Sequence, residues 1–276
     1  MYLFSKKIAA VCAAVAMSVA MTTTAWAAGL TVKTETIKAK GVTLETPQIS
    51  GARGGAAIDN KVNMLLWNNS FKAMLGMIST KTLPSDDNDF VKTFGNTSAA
   101  KENTKQMAEY MSRRLENDRV KVGQKEPYFV KLSYDVKTGL QNSTISLVEK
   151  VTTYTGGAHN NTEYLAVNYD LRSGKEIQLA DIFAEGVNYQ DRLLTLMQIQ
   201  AKGDQRIYNK LTENVKNAKP EGYYCPKKIT GKEKFYLDAK VGDLTVFYNP
   251  GEIAPISEGR MNFRFSLDTI SDLIRL

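Results

Sequence analysis

Alternating apolar and polar residues recur along the second half of the chain, and this period of two is typical of half-buried β-strands. The clearest run extends from Tyr128 to Val136, where every second residue is apolar or aromatic. A second run from Ile145 to Thr153 follows the turn signal at 139–142, so the two runs predict a β-hairpin. More strands are predicted at Leu165–Tyr169, Phe235–Leu237, Leu244–Tyr248 and Met261–Leu267, and Thr31–Thr46 is expected to be extended with a bend at Gly41.

Three other stretches carry apolar residues at helical spacing and predict amphipathic helices, each with one face on a core. Their apolar stripes are Ile58, Val62, Leu65 and Leu66, then Met107, Met111 and Leu115, and finally Leu193, Leu194 and Met197. Because the strands are joined mainly by short turns, their pairing is expected to be antiparallel. The predicted fold class is therefore α+β, with mostly antiparallel sheets packed against about three amphipathic helices.

The first residues have the pattern of a secretory signal peptide. Lys6 and Lys7 precede an apolar run from Ile8 to Ala20, and Ala25-Trp26-Ala27 supplies a small-residue cleavage site. The alternative is an uncleaved membrane anchor, but the run is shorter than the roughly 20 residues of a spanning helix. We expect cleavage after Ala27, a mature chain with no membrane span, and a periplasmic or extracellular location at the cell surface.

Cysteine usage and charge narrow the classes of partner. Cys12 would leave with the signal, so Cys225 has no partner for an internal disulfide and is expected to be a tolerated buried thiol or to pair between chains. The formal net charge of +7 favours contact with anionic envelope polymers. Nucleic acid is not an expected partner, since export is predicted and no recognition motif is present.

The inventory of catalytic side chains is sparse. His159 is the single histidine, and it follows Gly156-Gly157, so it is expected in a turn at the end of a strand. There it could contact a ligand, act as a base, or hydrogen-bond the turn in place. A catalytic zinc site needs three ligands, which His159 and Cys225 cannot supply, and 86–89 lacks the glycine and glutamate of a calcium loop. Neither a metal nor a cofactor is predicted.

Two further groups of polar residues carry weaker hypotheses. A pair of carboxylates could cleave a glycan, but the acidic residues near His159 are expected on a solvated sheet face; they are Glu149, Glu163, Asp170 and Asp181. A basic and aromatic stretch could bind an anionic polymer or stack on sugar rings, or it could be an ordinary solvated loop. Its residues are Tyr223, Tyr224, Lys227, Lys228, Lys232 and Lys234.

Several segments resemble a known family. These are Thr155-Gly156-Gly157-Ala158-His159, Asn168-Tyr169-Asp170-Leu171-Arg172-Ser173-Gly174, Leu179-Ala180-Asp181-Ile182-Phe183 and Phe247-Tyr248-Asn249-Pro250-Gly251-Glu252. Together they are similar to the exported domain of unknown function of the RsiV-like, lysozyme-sensing anti-sigma factors, a domain also related to one preceding the catalytic part of the deacetylase PdaC. Thr46–Gly51 and a helix carrying Asn63 resemble the companion segment that comes first.

The signal pattern defines 1–27, and the sequence changes from helix-rich to strand-rich near Gly123–Pro127. With the resemblance, these predict a companion α+β segment at 28–125 and an RsiV-like α+β domain at 126–276. The resemblance also implies an exported binding protein, not an enzyme, that recognises a cell-wall glycan or a wall-directed protein such as lysozyme. The expected contacts lie on the glycine loop, at Tyr154, Gly156, Gly157, His159 and Asn161. Two alternatives stay open: an envelope glycan hydrolase with paired carboxylates, and a structural or assembly factor.

Overall fold

Two β-sheets and three α-helices make up the described part of the chain, which comprises residues 24–25, 29–77, 99–139, 143–203 and 224–275. The structure is a computed structural model. The helices are α1 (Ala56–Gly76), α2 (Ala100–Lys121) and α3 (Tyr189–Gly203), and short 3₁₀ helices span Leu179–Ile182 and Ile256–Glu258. The predicted α+β class is confirmed.

The first sheet has six strands whose order in space follows their order in sequence. They are β1 (Thr24–Ala25), β2 (Thr31–Ala39), β3 (Val42–Ser50), β4 (Phe129–Thr138), β5 (Thr144–Tyr154) and β6 (Asn161–Asp170). Neighbouring strands are antiparallel except β3 and β4, which pair in parallel over three residues each. This parallel pairing joins distant parts of the chain, and no local pattern in the sequence indicates it.

The turn between β2 and β3 explains where this parallel pairing begins. Gly41 has φ of +75°, a left-handed conformation that a side chain disfavours. Its carbonyl accepts a hydrogen bond from the Val130 amide at 2.7 Å, and a Cβ there would lie 2.7 Å from the Tyr128 carbonyl oxygen. Glycine therefore allows the turn to approach the start of β4 closely.

The second sheet is a three-stranded antiparallel meander of β7 (Lys234–Asp238), β8 (Asp243–Tyr248) and β9 (Met261–Ser266). Helix α3 buries Leu193 and Met197 in one core with inward residues of this sheet such as Phe263. Gln200 in α3 also exchanges two hydrogen bonds with the backbone of Arg264 in β9. The alternation in β9 is regular, with every second side chain buried, as the sequence predicts.

Helices α1 and α2 cover one face of the first sheet, and the second sheet meets the opposite face. Trp67 and Phe71 of α1 and Met107 of α2 share a core with inward residues of β2 to β5. On the other face, the Ser146 hydroxyl accepts a hydrogen bond from the Leu237 amide at 3.0 Å. Strand β5 is therefore covered on both faces over much of its length, and Thr144 to Glu149 are all buried.

Asn63 of helix α1 hydrogen-bonds strand β3 beyond the residues where β3 pairs with β4. The pairing of β3 with β4 covers only Val42 to Leu44, so the far end of β3 lacks strand partners there. The Asn63 side chain accepts a hydrogen bond from the Ile49 amide at 2.7 Å and donates one to the Ile49 carbonyl at 2.9 Å. A side-chain amide thus replaces a missing strand and satisfies both backbone groups.

Most of the predicted elements are confirmed, including the 128–154 hairpin and the bend at Gly41. Residues 86–89, the turn at 140–142 and nearly all of the predicted signal lie outside the described residues. The division at 125/126 stays a prediction, although strands from both sides of it share the first sheet. Among the described residues, no helix combines the length and apolarity needed to cross a bilayer.

Candidate functional site

A groove of about 710 Å³ lies between the two helices α1 and α2 and the face of the first sheet that they cover. Alternation in β5 and β6 determines its floor, because odd-numbered residues of both strands point to the helices. The floor includes Glu149, Val151, Thr153, Asn161, Glu163, Leu165 and Val167. The walls include Asn69, Lys72, Ala73 and Met77 from the end of α1, and Met111, Arg114, Leu115 and Asp118 from α2.

Glu149 is the most unusual residue in this groove, since its side chain is charged in water yet is only 1% exposed here. Its Oε1 atom has no hydrogen-bond partner among the described residues. The hydroxyl of Tyr134, the residue directly opposite on β4, faces the same carboxyl group. The Tyr134 and Ser70 hydroxyls are hydrogen-bonded at 3.1 Å, and the Ser70 and Thr46 hydroxyls at 2.9 Å.

The environment of Glu149 favours the protonated carboxyl. Removal from water is the main cause, the negative charge of Glu163 adds to it, and the hydrogen bond from Tyr134 opposes it; together they raise the pKa of Glu149 to about 8. At neutral pH the group therefore carries a proton and can donate a hydrogen bond as well as accept one.

Glu149 and Glu163 are diagonal neighbours across β5 and β6. Glu149 pairs with Leu165, and Val151 pairs with Glu163, so the two acids share one face with their backbones about 7–8 Å apart. The expectation that Glu149 lies on a solvated sheet face is wrong, because helices cover its face of β5. Glu163 is exposed, at the open side of the groove.

The other two acids of that group support local turns. The Asp170 carboxylate accepts hydrogen bonds from the amides of Arg172 at 2.7 Å and Ser173 at 3.1 Å. The Asp181 carboxylate accepts one from the Gln178 amide at 2.8 Å. Neither lines the groove.

The glycine loop between β5 and β6 lies beside the groove. Gly156 and Gly157 have φ of +97° and +100°, and a Cβ on Gly156 would lie 3.0 Å from the Tyr128 hydroxyl. The Tyr154 hydroxyl lies 3.0 Å from Glu126 Oε2 and 3.2 Å from the Gly157 carbonyl oxygen. Its hydrogen bond to Glu126 is the main cause that raises the pKa of Tyr154. These contacts fix the loop.

The predicted loop residues divide between the two sides of the sheet. Asn161 lines the groove together with Thr155, the first residue of the family-like segment Thr155–His159. Even-numbered residues of β5 point away from the helices, so Tyr154 lies on the opposite face of the sheet. His159 is exposed in the turn, as expected, but it is not among the groove-lining residues.

Only part of the predicted basic and aromatic stretch is exposed. Tyr224 is 2% exposed, and its hydroxyl donates to Glu258 at 3.3 Å, while Tyr223 lies outside the described residues. Lys234 forms an ion pair with Glu252. Three exposed lysines remain on this stretch, namely Lys227, Lys228 and Lys232. Cys225 is buried and free, and burial raises the pKa of its thiol to about 11.

Fold and groove together define an α+β protein with a helix-lined cleft over a central antiparallel sheet. The sequence matches two family models, "Protein of unknown function (DUF3298)" over residues 180–268 and "Deacetylase PdaC" over residues 31–162. The chain thus carries a DUF3298 region preceded by a PdaC-family region, which confirms the RsiV-like resemblance. No curated protein matches the sequence.

The comparison with solved structures found two proteins of the DUF3298 family. One from Bacteroides fragilis is 17% identical and has a TM-score of 0.57, with 95% of this chain and 96% of that chain covered. One from Pseudomonas aeruginosa is 15% identical and has a TM-score of 0.49, with 88% of this chain and 94% of that chain covered. The Bacteroides structure supports the fold.

Proposed function

We propose that this chain is an exported binding protein of the cell envelope, and that its groove takes a segment of cell-wall glycan. The observation that carries the proposal is the groove itself, a cleft of about 710 Å³ whose floor holds the buried Glu149, one oxygen of which has no hydrogen-bond partner in the described part of the chain. Its volume is in the range of small-ligand sites, and its lining mixes apolar side chains with polar and charged ones. The signal-like start of the chain and the RsiV-like family support a location outside the cytoplasm.

The experiment is isothermal titration calorimetry of the chain with soluble muropeptides and, separately, with lysozyme. Binding of muropeptides is the expected result. Heat with lysozyme alone would replace the glycan by a wall-directed protein as the ligand. Absence of heat with both, at high protein concentration, would refute the proposal.

A matched pair of variants locates the binding. Asn161→Trp places a large side chain at the groove, whereas Lys150→Trp places the same side chain at an exposed position on the opposite face of the neighbouring strand. Muropeptide binding is expected to weaken in the first variant and to stay unchanged in the second. Equal effects would place the contact elsewhere.

One observation favours glycan hydrolysis as a second candidate. Glu149 holds a proton at neutral pH and Glu163 is an exposed carboxylate on the same face, so the groove offers a proton donor and a base. Diagonal neighbours on one face of a sheet have side chains that can reach the same ligand, as the two acids of a glycosidase do. Release of reducing ends from cell-wall glycan, abolished by Glu149→Gln and by Glu163→Gln, would establish it. Muropeptide binding without release would favour the binding protein.

A further inference from the structure

We infer that the groove recognises an N-acetylated amino sugar through its acetamido group, whose carbonyl oxygen accepts a hydrogen bond from the Glu149 carboxyl. This inference rests on the proposed function and names the chemical group that the groove selects. It starts from one observation, that Glu149 lines the groove, is 1% exposed, and has an oxygen without a partner among the described residues. A buried polar atom left unpaired destabilises the protein, and a ligand that pairs with it recovers that loss.

The walls around Glu149 suit a small group with an apolar end. Val151 and Leu165 are its nearest neighbours on the floor, and Ala73 and Met77 lie across the groove. An acetamido group has a methyl that fits such walls and a carbonyl that can reach the acid. Because it hangs from the sugar ring, it can enter to the floor, whereas a peptide amide lies within a continuous chain.

The charge state of Glu149 selects an uncharged ligand. At neutral pH the carboxyl is protonated, because its pKa is about 8. A protonated carboxyl can donate to a carbonyl oxygen, whereas it offers an ammonium group a neutral acceptor and no compensating negative charge. The charged and titratable groups that face it are Tyr134 on β4, Glu163 and Tyr169 on β6, Lys72 on α1, and Arg114 and Asp118 on α2.

These neighbours set the direction of the pH dependence. The charges of Arg114 and Asp118 offset each other, since the two side chains form an ion pair at 3.8 Å, and Arg114 also donates to the Tyr110 hydroxyl at 3.2 Å. Glu163 opposes ionisation of Glu149, so the protonated, binding-competent form persists to higher pH. Affinity for the acetamido group is therefore expected to fall as pH rises through about 8.

The experiment compares binding of an N-acetylglucosamine tetramer, a glucosamine tetramer and a short wall peptide by calorimetry at about pH 6.5 and about pH 9. For the wild type we expect the acetylated tetramer to bind best, and to bind about tenfold more weakly at about pH 9, where about one tenth of Glu149 keeps its proton. Glu149→Gln keeps a neutral donor, so its affinity is expected to be similar at both pH values. Glu149→Leu removes the donor and is expected, at both pH values, to bind about tenfold or more weakly than the wild type does at about pH 6.5.

Glu163→Gln serves as the matched control, since it removes a negative charge from the same face and leaves the Glu149 donor in place. Its binding is expected to be lost at a lower pH than in the wild type. Preference for the glucosamine tetramer or the peptide, or binding that ignores both pH and Glu149, would overturn the inference. If muropeptides bind while the Glu149 variants behave as wild type, the proposed function survives and this inference fails. If no glycan binds at any pH, both fail.

Discussion

Glu149→Gln is expected to make the protein more stable at neutral and alkaline pH, and the gain should grow with pH. In the folded chain the pKa of Glu149 is about 8, compared with an ordinary value of 4.5. The unfolded chain therefore releases this proton at lower pH than the folded chain does. Between these two values the folded state binds more protons, so the free energy of unfolding falls as pH rises.

The size of the effect follows from the same two pKa values. Each pKa unit corresponds to about 1.4 kcal/mol, so the wild type should lose about 5 kcal/mol of stability between about pH 4.5 and about pH 8 through this group. The loss is absent below this window and complete above it. Glutamine carries no proton to lose, so the difference in unfolding free energy between variant and wild type should rise by about 1.4 kcal/mol per pH unit across the window.

Urea unfolding, followed by far-UV circular dichroism and by the fluorescence of the buried Trp67, measures this difference. Wild type and Glu149→Gln are compared at several pH values between about 5 and 8.5, so that other titrating groups cancel. A Glu163→Gln control should show only a small change, because Glu163 contributes less to the Glu149 pKa than burial does. A difference that stays constant within about 0.5 kcal/mol over this range would refute an elevated pKa for the buried acid.

Three backbone and side-chain contacts give further predictions, each measured by urea unfolding. Gly156→Ala and Gly157→Ala both place an alanine at positive φ, but only at Gly156 does the new Cβ crowd the Tyr128 hydroxyl, so Gly156→Ala should cost more, about 2 against about 1 kcal/mol. Asn63→Ala leaves two backbone groups of β3 unpaired and should cost about 2 kcal/mol. Asn249→Ala removes the equivalent pair of bonds to β6 and should cost a similar amount, about 2 kcal/mol; a loss below about 0.5 kcal/mol in either variant would contradict these roles.

Local patterns predicted the individual elements because their causes are local. Alternation at 128–136 reflects a strand with one face on a core, and the stripe of Met107, Met111 and Leu115 reflects a helix on that core. The parallel pairing of β3 with β4 had no such signal, since it depends on the close approach of Gly41 to Val130, residues far apart in the sequence. The covering of β5 on both faces is likewise a property of the assembled layers.

The candidate site was predicted less well, for the same reason. The glycine loop was placed correctly at the end of β5, and Asn161 does line the groove. Glu149 was assigned to a solvated face, although the sequence holds a signal that could have placed it. It occupies the apolar phase of its strand, between Leu147 and Val151, so its side chain has to share their buried face.

A carboxyl group at position 149 lowers the stability of the fold at neutral pH, whereas the proposed ligand contact requires that carboxyl group. The raised pKa of Glu149 and its proposed contact with the ligand can therefore be tested against each other. The stability difference between wild type and Glu149→Gln must level off at the pKa of Glu149 in the ligand-free folded state, and the affinity for an acetamido ligand must begin to fall at the same pKa. Both changes should therefore lie near pH 8 and should move together to lower pH in Glu163→Gln. Two different midpoints would mean that the proton governing binding is not the proton on Glu149.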